Sequence, residues 1–205
     1  MTKTITGLYD DIAQARAAVE DLVDHGFSRE DISLVAADPT EEYGRQLGPY
    51  DDTIADDAAD ATAGAATGAV AGGVLGGLGG VLLGLGALAI PGVGPIIAAG
   101  PIAAGLVGAG VGAAAGGLVG AMIGWGIPEQ DARYYTEGIR RGGTFVAVRA
   151  ADHQVGKISS ILNDHNPVNI EERVEMWRNE GWTGYDPDAQ PYTPAEIEAE
   201  RERYY

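Results

Sequence analysis

The sequence predicts an α+β fold, a ferredoxin-like split βαβ sandwich interrupted by a long glycine-rich α-helical hairpin. Three observations lead to this prediction. Residues 1–38 pass from a strand-like to a helix-like and back to a strand-like pattern, and residues 129–180 repeat that order. The stretch that separates the two halves has no charged residue between Asp60 and Glu129, and it holds 22 of the 32 glycines. The two halves and the insertion must therefore be packed by different rules.

The first half, residues 1–38, is a βαβ unit. The segment "TITGLY" is rich in β-forming residues, and Asp10 and Asp11 after it suit the N-terminus of a helix. Apolar residues then recur at helical spacing as far as "HGF", where Gly26 suits a left-handed C-terminal cap. The segment "SREDISLVAA" adds a capped turn and the second strand.

Residues 39–60 form an acidic linker. The segment loses hydrophobic periodicity, contains Pro39 and Pro49, and ends in "DDTIADDAAD". The aspartate spacing does not match a calcium-binding loop, which needs a central glycine and a closing glutamate. A solvated linker ahead of a helix is the prediction.

Residues 61–128 predict a hairpin of two long helices, Ala66–Ile90 and Ile102–Gly126, separated at "PGVGPIIAAGP" by Pro91, Pro95 and Pro101. Each helix carries glycines in steps of four residues. The first row is Gly64, Gly68, Gly72, Gly76, Gly80 and Gly84; the second is Gly108, Gly112, Gly116, Gly120 and Gly124.

These glycine rows predict a helix-packing and oligomer interface. Each glycine inside a helix costs about 1 kcal/mol relative to alanine, so close backbone approach must recover several kcal/mol. A ridge without side chains lets another helix lie directly against it, with a right-handed crossing. The predicted partner is a second copy of the chain.

The uncharged hairpin also predicts contact with a lipid bilayer. A helix from Ala66 to Ile90 spans about 37 Å, more than a hydrocarbon core of about 30 Å. Arg45, Arg133 and the pair Arg140 and Arg141 flank the hairpin, whereas its loop has no cation, which predicts a cytoplasmic-membrane protein with both termini cytoplasmic. The alternative is a hairpin buried in a soluble cytoplasmic assembly. Trp125 is accordingly either an interfacial anchor or a core residue.

The second half, residues 129–180, predicts a helix in "PEQDARYYTEGIRRGG", a strand in "TFVAVRA", a helix in "DHQVGKISSILNDHN" and a last short strand in "PVNI". A short helix with Val174 and Trp177 follows. Residues 181–205 form an acidic extension rich in Tyr and Pro, with a charged helical end.

The composition narrows the function. Thirty acidic residues against 13 basic ones give a net charge of −17, which argues against nucleic acid as a partner. The chain has no cysteine, and His25, His153 and His165 show no metal-binding spacing and no pairing with a nucleophile. We therefore predict no catalytic, cofactor-binding or metal-binding residue, and a non-enzymatic protein.

The chain resembles the bacterial general stress proteins with the 17M-like, heat-induced (YflT-type) domain. The resemblance rests on "TGLYDDIAQARAAVEDLVDHGFSREDISLVA", "YYTEGIRRGGTFVAVRA" and "VNIEERVEMWRNEGWTGYDPDAQPYTPAEI", and it covers nearly the whole chain. These motifs are specific to the fold and not to a chemistry. The resemblance implies stress-linked expression and transfers no catalytic residues.

Two function classes follow from these observations. The first is a structural stress-response protein that self-assembles through its glycine-rich helices in or on the cytoplasmic membrane. The second is a soluble ferredoxin-like ligand-binding or regulatory domain that the hairpin only oligomerises.

Overall fold

A computed structural model describes residues 2–40, 86–90, 93–108 and 117–204. These residues contain five strands: β1 (Thr2–Tyr9), β2 (Ile32–Ala37), β3 (Gly86–Ile90), β4 (Gly94–Ala99) and β5 (Thr144–Ala151). They also contain seven α-helices: α1 (Ile12–Asp24), α2 (Pro101–Gly108), α3 (Gly117–Gly124), α4 (Glu129–Arg140), α5 (Val155–Asp164), α6 (Ile170–Asn179) and α7 (Pro194–Glu202). The α+β class is confirmed.

The strands form one antiparallel sheet in the order β1-β5-β2-β4-β3. Strand β5 lies between the two strands of the first half, pairing Leu8 with Phe145 on one side and Val35 with Phe145 on the other. Strand β2 continues the sheet to β4, and β4 to β3. The first half of the chain is thus joined through a strand that comes more than one hundred residues later.

Helices cover both faces of the sheet. Helices α1 and α5 pack on one face through residues such as Leu22 and Ile158, against Val146 and Val148 of β5. On the other face, α2, α3, α4 and α6 enclose a second core around Phe145. The arrangement is three layers, helices on sheet on helices.

Local signals in the sequence account for most element ends. Asp11 caps α1, its side chain accepting a hydrogen bond from the N–H of Ala13. Gly26 ends that helix region with a φ of +88°, and Gly142 leaves α4 with a φ of +95°. The strands and helices predicted in both halves are confirmed, apart from the last strand.

The predicted last strand "PVNI" is wrong. Residues 167–169 are irregular, and α6 begins at Ile170 because Asn169 caps it, accepting a hydrogen bond from the N–H of Glu172. A single backbone bond, from the N–H of Val168 to the carbonyl of Leu8 at 2.7 Å, joins this segment to the edge of the sheet.

In the residues that the structure describes, the predicted helical hairpin is replaced in part by strands. The first long helix was expected to reach Ile90, but Gly86–Ile90 is strand β3, and the proline-containing loop gives strand β4. The second helix was expected over residues 102–126, where α2 and α3 are found with residues 109–116 undescribed between them. A run of Gly, Ala, Leu and Ile has no polar alternation, so periodicity alone does not separate strand from helix.

Several predicted features lie outside the described residues. These are linker residues 41–60, the first glycine row from Gly64 to Gly84, and Gly112 and Gly116 of the second row. Within the described ranges, none of the helices combines the length and the apolar character needed to cross a membrane.

Candidate functional site

The second glycine row is described at three positions. Gly108 is the last residue of α2, and Gly120 and Gly124 lie in α3. Helix α3 has two different sides, because Leu118 and Met122 are buried in the core beneath the sheet. The glycines lie on the side away from that core.

Gly120 and Gly124 face open space. No atom of the described chain lies within 4 Å of the position that a Cβ would take at either glycine. Ile123 beside them is 43% exposed, although it is a large apolar residue. The result is a surface of α3 with a bare backbone and one apolar side chain, which we call the open face of α3.

One described contact between α2 and α3 involves residues outside the predicted row. A Cβ at Gly105 would lie 3.8 Å from the Cβ of Ala121, an ordinary van der Waals separation. Neither Gly105 nor Ala121 belongs to the row. Gly120 and Gly124 therefore pack against none of the helices that the structure describes, and the role of the row between chains stays a prediction.

The end of α3 is fastened to the first strand. The hydroxyl of Thr4 donates a hydrogen bond of 2.6 Å to the carbonyl of Trp125, and the guanidinium of Arg149 lies 4.5 Å from the Trp125 ring centre. Trp125 is buried in the core, so the core alternative holds for this residue in the described fold. A shallow cleft of about 510 Å³ runs along Thr2, Lys3, Thr4 and the Gly124–Gly126 turn.

The opposite end of the same layer holds a buried charged cluster. Glu137 of α4, 1% exposed, accepts hydrogen bonds from Arg140 at 2.6 and 3.0 Å and from Arg141 at 2.7 Å. Arg140 also donates to the carbonyl of Gln190, and its guanidinium lies 4.6 Å from the Tyr192 ring centre. One carboxylate of α4 thus holds two arginines that reach toward the C-terminal extension.

Helix α7 completes this cluster. Glu200 accepts hydrogen bonds of 2.5 Å from both Arg141 and the hydroxyl of Tyr204. The indole N–H of Trp177 donates to the Tyr204 hydroxyl at 2.8 Å. We call Glu137, Arg140, Arg141, Glu200 and Tyr204 the charged cluster.

A second ion pair lies beside the charged cluster. Arg173 of α6 makes two hydrogen bonds of 2.9 Å to the carboxylate of Asp10, and its guanidinium lies 3.3 Å from the ring centre of Tyr204. The two-pronged geometry suits a guanidinium and a carboxylate. Helix α6 is thereby tied to the end of β1.

The pKa values show how strongly these groups depend on one another. Burial alone would lower the pKa of Arg141, but hydrogen bonds to Glu137 and Glu200 outweigh it and raise the pKa. Burial would raise the pKa of Glu200, and hydrogen bonds from Tyr204 and Arg141 lower it instead. Burial, followed by the bond to Glu200, raises the pKa of Tyr204 to about 12.

The arrangement is suited to holding α7 in place. Arg140, Arg141 and Arg173 face the three carboxylates of Glu137, Glu200 and Asp10, and each charge has a hydrogen-bonded partner. Such paired charges cost much to break, because a buried charge would lose its partner.

Close packing at Gly142 adds to the attachment of α7. A Cβ at Gly142 would overlap Cγ2 of Ile197, and Arg201 donates a hydrogen bond of 3.1 Å to the Gly142 carbonyl. A cleft of about 340 Å³ remains between α7 and the end of β2, and the buried Asp38 lines it together with Glu198 and Arg201.

Two of the three histidines meet at one carboxylate. His25 and His165 lie 2.9 and 3.2 Å from the two carboxylate oxygens of Asp21, and hydrogen bonding to His165 is the main cause that lowers the Asp21 pKa. Each histidine contacts a different oxygen. In the part of the chain that the structure describes, no group of three or more potential ligands could hold a metal ion.

Sequence reasoning missed the charged cluster. It assigned Arg140 and Arg141 to the end of a helix and to the positive-inside bias, and it left the extension without a role. One local signal was available, because Glu137 precedes the two arginines by three and four residues. The contribution of Glu200 and Tyr204, about sixty residues later, left no local pattern.

The chain matches no protein-family model, and no curated protein or solved structure is significantly similar to it.

Proposed function

We propose that this chain is a non-enzymatic stress-response protein that self-assembles through its glycine-rich helices, in or on the cytoplasmic membrane. The observation that carries the proposal is the open face of α3, where no atom of the described residues lies within 4 Å of the Cβ positions of Gly120 and Gly124. A helix that gives up side chains at regular spacing loses about 1 kcal/mol at each glycine, and close approach of another helix recovers it.

We also propose the family to which the chain belongs. In this proposal, strands β1, β5 and β2 with helices α1 and α5 on one face of the sheet would be the core of a ferredoxin-like split βαβ sandwich. Its fourth strand would be reduced to the Val168 segment, whose single backbone bond reaches Leu8. This core and the motifs quoted above support membership of the general stress proteins with a 17M-like domain.

The membrane part of the proposal depends on the sequence. Residues 61–128 contain no charged side chain, and their flanking arginines favour termini on the cytoplasmic side. Recovery of the protein in the membrane fraction, and its release only by detergent, is the expected result of fractionating a cell extract. Full recovery without detergent would refute the membrane part and leave self-assembly standing.

The test of self-assembly is the mass of the purified protein by light scattering. Gly120→Leu with Gly124→Leu should reduce the mass, because two side chains would fill the space that a second helix needs. Gly156→Leu is the matched control, since Gly156 is also an exposed helical glycine with open space over it but lies outside the rows. Equal masses for all three proteins would refute the proposal.

The second candidate is a soluble domain that binds a ligand or regulates a partner. The cleft beside Asp38 favours it, because a carboxylate that is 2% exposed lines a space of about 340 Å³. Asp38→Asn should then change ligand binding without changing the mass. If the mass falls with the glycine variant, self-assembly is supported whichever compartment holds the protein.

A further inference from the structure

The outer edge of the sheet at β1 is open over its first residues. Strand β1 pairs with β5 along its whole length, from Thr2 opposite Ala151 to Tyr9 opposite Thr144, with no bulge. Along the other edge, the only backbone partner in the described part of the chain is Val168, at Leu8. Thr2 and Lys3 are exposed, and Thr4 to Thr6 are half-buried.

The bond from Val168 fixes which backbone groups point outward. In an antiparallel pair, the N–H and C=O of one residue point to the same side, and the side alternates along the strand. Because the carbonyl of Leu8 points away from β5, those of Thr6, Thr4 and Thr2 do so as well. These three residues present a row of backbone donors and acceptors, which is a template for another strand.

We propose that this edge pairs with β1 of a second copy, antiparallel and about a two-fold axis at Thr4. The inference rests on the proposed self-assembly and names a surface for it. The register pairs Thr4 with Thr4, Thr2 with Thr6, and Lys3 with Ile5 of the other copy. Thr2, Thr4 and Thr6 then each meet an outward-pointing residue of the other copy, which gives about six backbone hydrogen bonds between the copies.

The side chains fit this register. The two lysines lie opposite isoleucines and not opposite each other, so like charges do not meet across the pair. Lys3 keeps its own ion pair with Asp152 at 2.6 Å. A register shifted toward the end of β1 would bring the second strand against Leu8, whose carbonyl already accepts the bond from Val168.

The open edge is continuous with the open face of α3. Thr4 is bonded to the carbonyl of Trp125, which directly follows Gly124, and the shallow cleft contains residues of both elements. A second copy seated on β1 would therefore also lie beside the glycine row. This continuity favours a copy of the same chain over an unrelated strand.

Cysteine cross-linking of the full chain tests the pairing, because the protein has no native cysteine. In the proposed register the Cα atom of Thr4 lies about 5.5 Å from the Cα atom of Thr4 in the other copy, which is within the range of a disulfide. Thr4→Cys should give a covalent dimer on mild oxidation. Thr2→Cys is the matched control. Thr2 of one copy is displaced by four residues along the strand from Thr2 of the other copy, so about 13 Å separates them.

The expected result is at least a tenfold excess of dimer for Thr4→Cys over Thr2→Cys and over Ser160→Cys on the exposed side of α5. Equal dimer yields would overturn the inference. If Gly120→Leu with Gly124→Leu lowers the mass while Thr4→Cys gives no excess dimer, this edge is refuted and self-assembly stands. A wild-type chain that remains a single copy at high concentration refutes both.

A second variant tests the edge without oxidation. Thr4→Pro removes one outward N–H and the hydroxyl that bonds the Trp125 carbonyl, but no hydrogen bond between β1 and β5, so an edge strand tolerates it. We expect this variant to lower the mass of the purified protein measured by light scattering and to leave its circular dichroism spectrum unchanged. An unchanged mass together with an unchanged spectrum would overturn the inference.

Discussion

The two ends of one helical layer differ in what they bury and what they expose. At one end, α4, α6 and α7 bury charged side chains, and each charge in the charged cluster is matched within the chain. At the other end, α3 exposes Gly120, Gly124 and Ile123. A region whose charges are all paired stabilises the fold. For the open face of α3, where no described atom fills the space over the glycines, we propose contact with a second copy of the chain.

The largest effect should come from removing the carboxylate at the centre of the charged cluster. Glu137→Gln leaves Arg140 and Arg141 buried without their shared charge, so we expect the free energy of unfolding in urea to fall by about 3–5 kcal/mol. Glu129→Gln on the same helix removes an exposed ion pair with Arg133 and should cost less than about 0.5 kcal/mol. Equal losses for the two variants would show that the cluster does not stabilise the fold.

The next effect separates backbone strain from the contact with α7. Gly142→Ala combines a positive φ with overlap of Ile197, and should cost about 2–4 kcal/mol in the same measurement. Gly26→Ala has a similar φ, +88°, but no atom of the described ranges lies within 4 Å of its Cβ position. It should cost about 1 kcal/mol. If the two variants lose the same free energy, Ile197 does not hold α7 at this position.

Alkaline pH should weaken the attachment of α7. The pKa of Tyr204 is raised from 10.0 to about 12, so the folded state holds this proton more tightly than the unfolded state does. Its contribution is complete below pH 10 and is lost as the pH rises toward 12. The difference in unfolding free energy between wild type and Tyr204→Phe should therefore narrow between pH 9 and pH 11.5. A constant difference would contradict the assigned environment of this hydroxyl.

The smallest effect is a gain in stability on the open face of α3. Gly120→Ala fills empty space in a helix, so at concentrations where copies are separate it should raise the free energy of unfolding by about 0.5–1 kcal/mol. The control is Gly138→Ala in α4. Its Cβ would lie 2.6 Å from Cδ2 of Leu8, so this variant should lower the free energy of unfolding. A loss of stability for Gly120→Ala would mean that the face is filled within the chain.

Local signals predicted the elements that begin and end on capping residues. Asp11, Gly26 and Gly142 each mark a helix boundary that can be identified from neighbouring residues alone. The β3–β4 hairpin could not be identified in this way, because Gly86–Ile90 contains only Gly, Ala, Leu and Ile and pairs with a strand that is itself buried. The segment "PVNI" failed because Asn169 caps a helix in preference to extending a strand.

The charged cluster lay beyond local reasoning for a different reason. Arg141 meets Glu200 across 59 positions, and Arg173 meets Asp10 across 163. A pattern of neighbours identifies charged residues but not their partners at such separations. The glycine rows were visible because their spacing is itself the signal, and a packing partner for them stays a prediction.

The pairing of β1 has a consequence for synthesis on the ribosome. In the described part of the chain β1 pairs only with β5, which begins at Thr144, so the first strand leaves the ribosome long before its neighbour is made. At about 5–20 residues per second, it waits on the order of ten seconds with both edges unpaired. The nascent chain is therefore exposed to strand pairing between neighbouring ribosomes on one messenger, and the time of exposure depends on how fast residues 10–143 are translated.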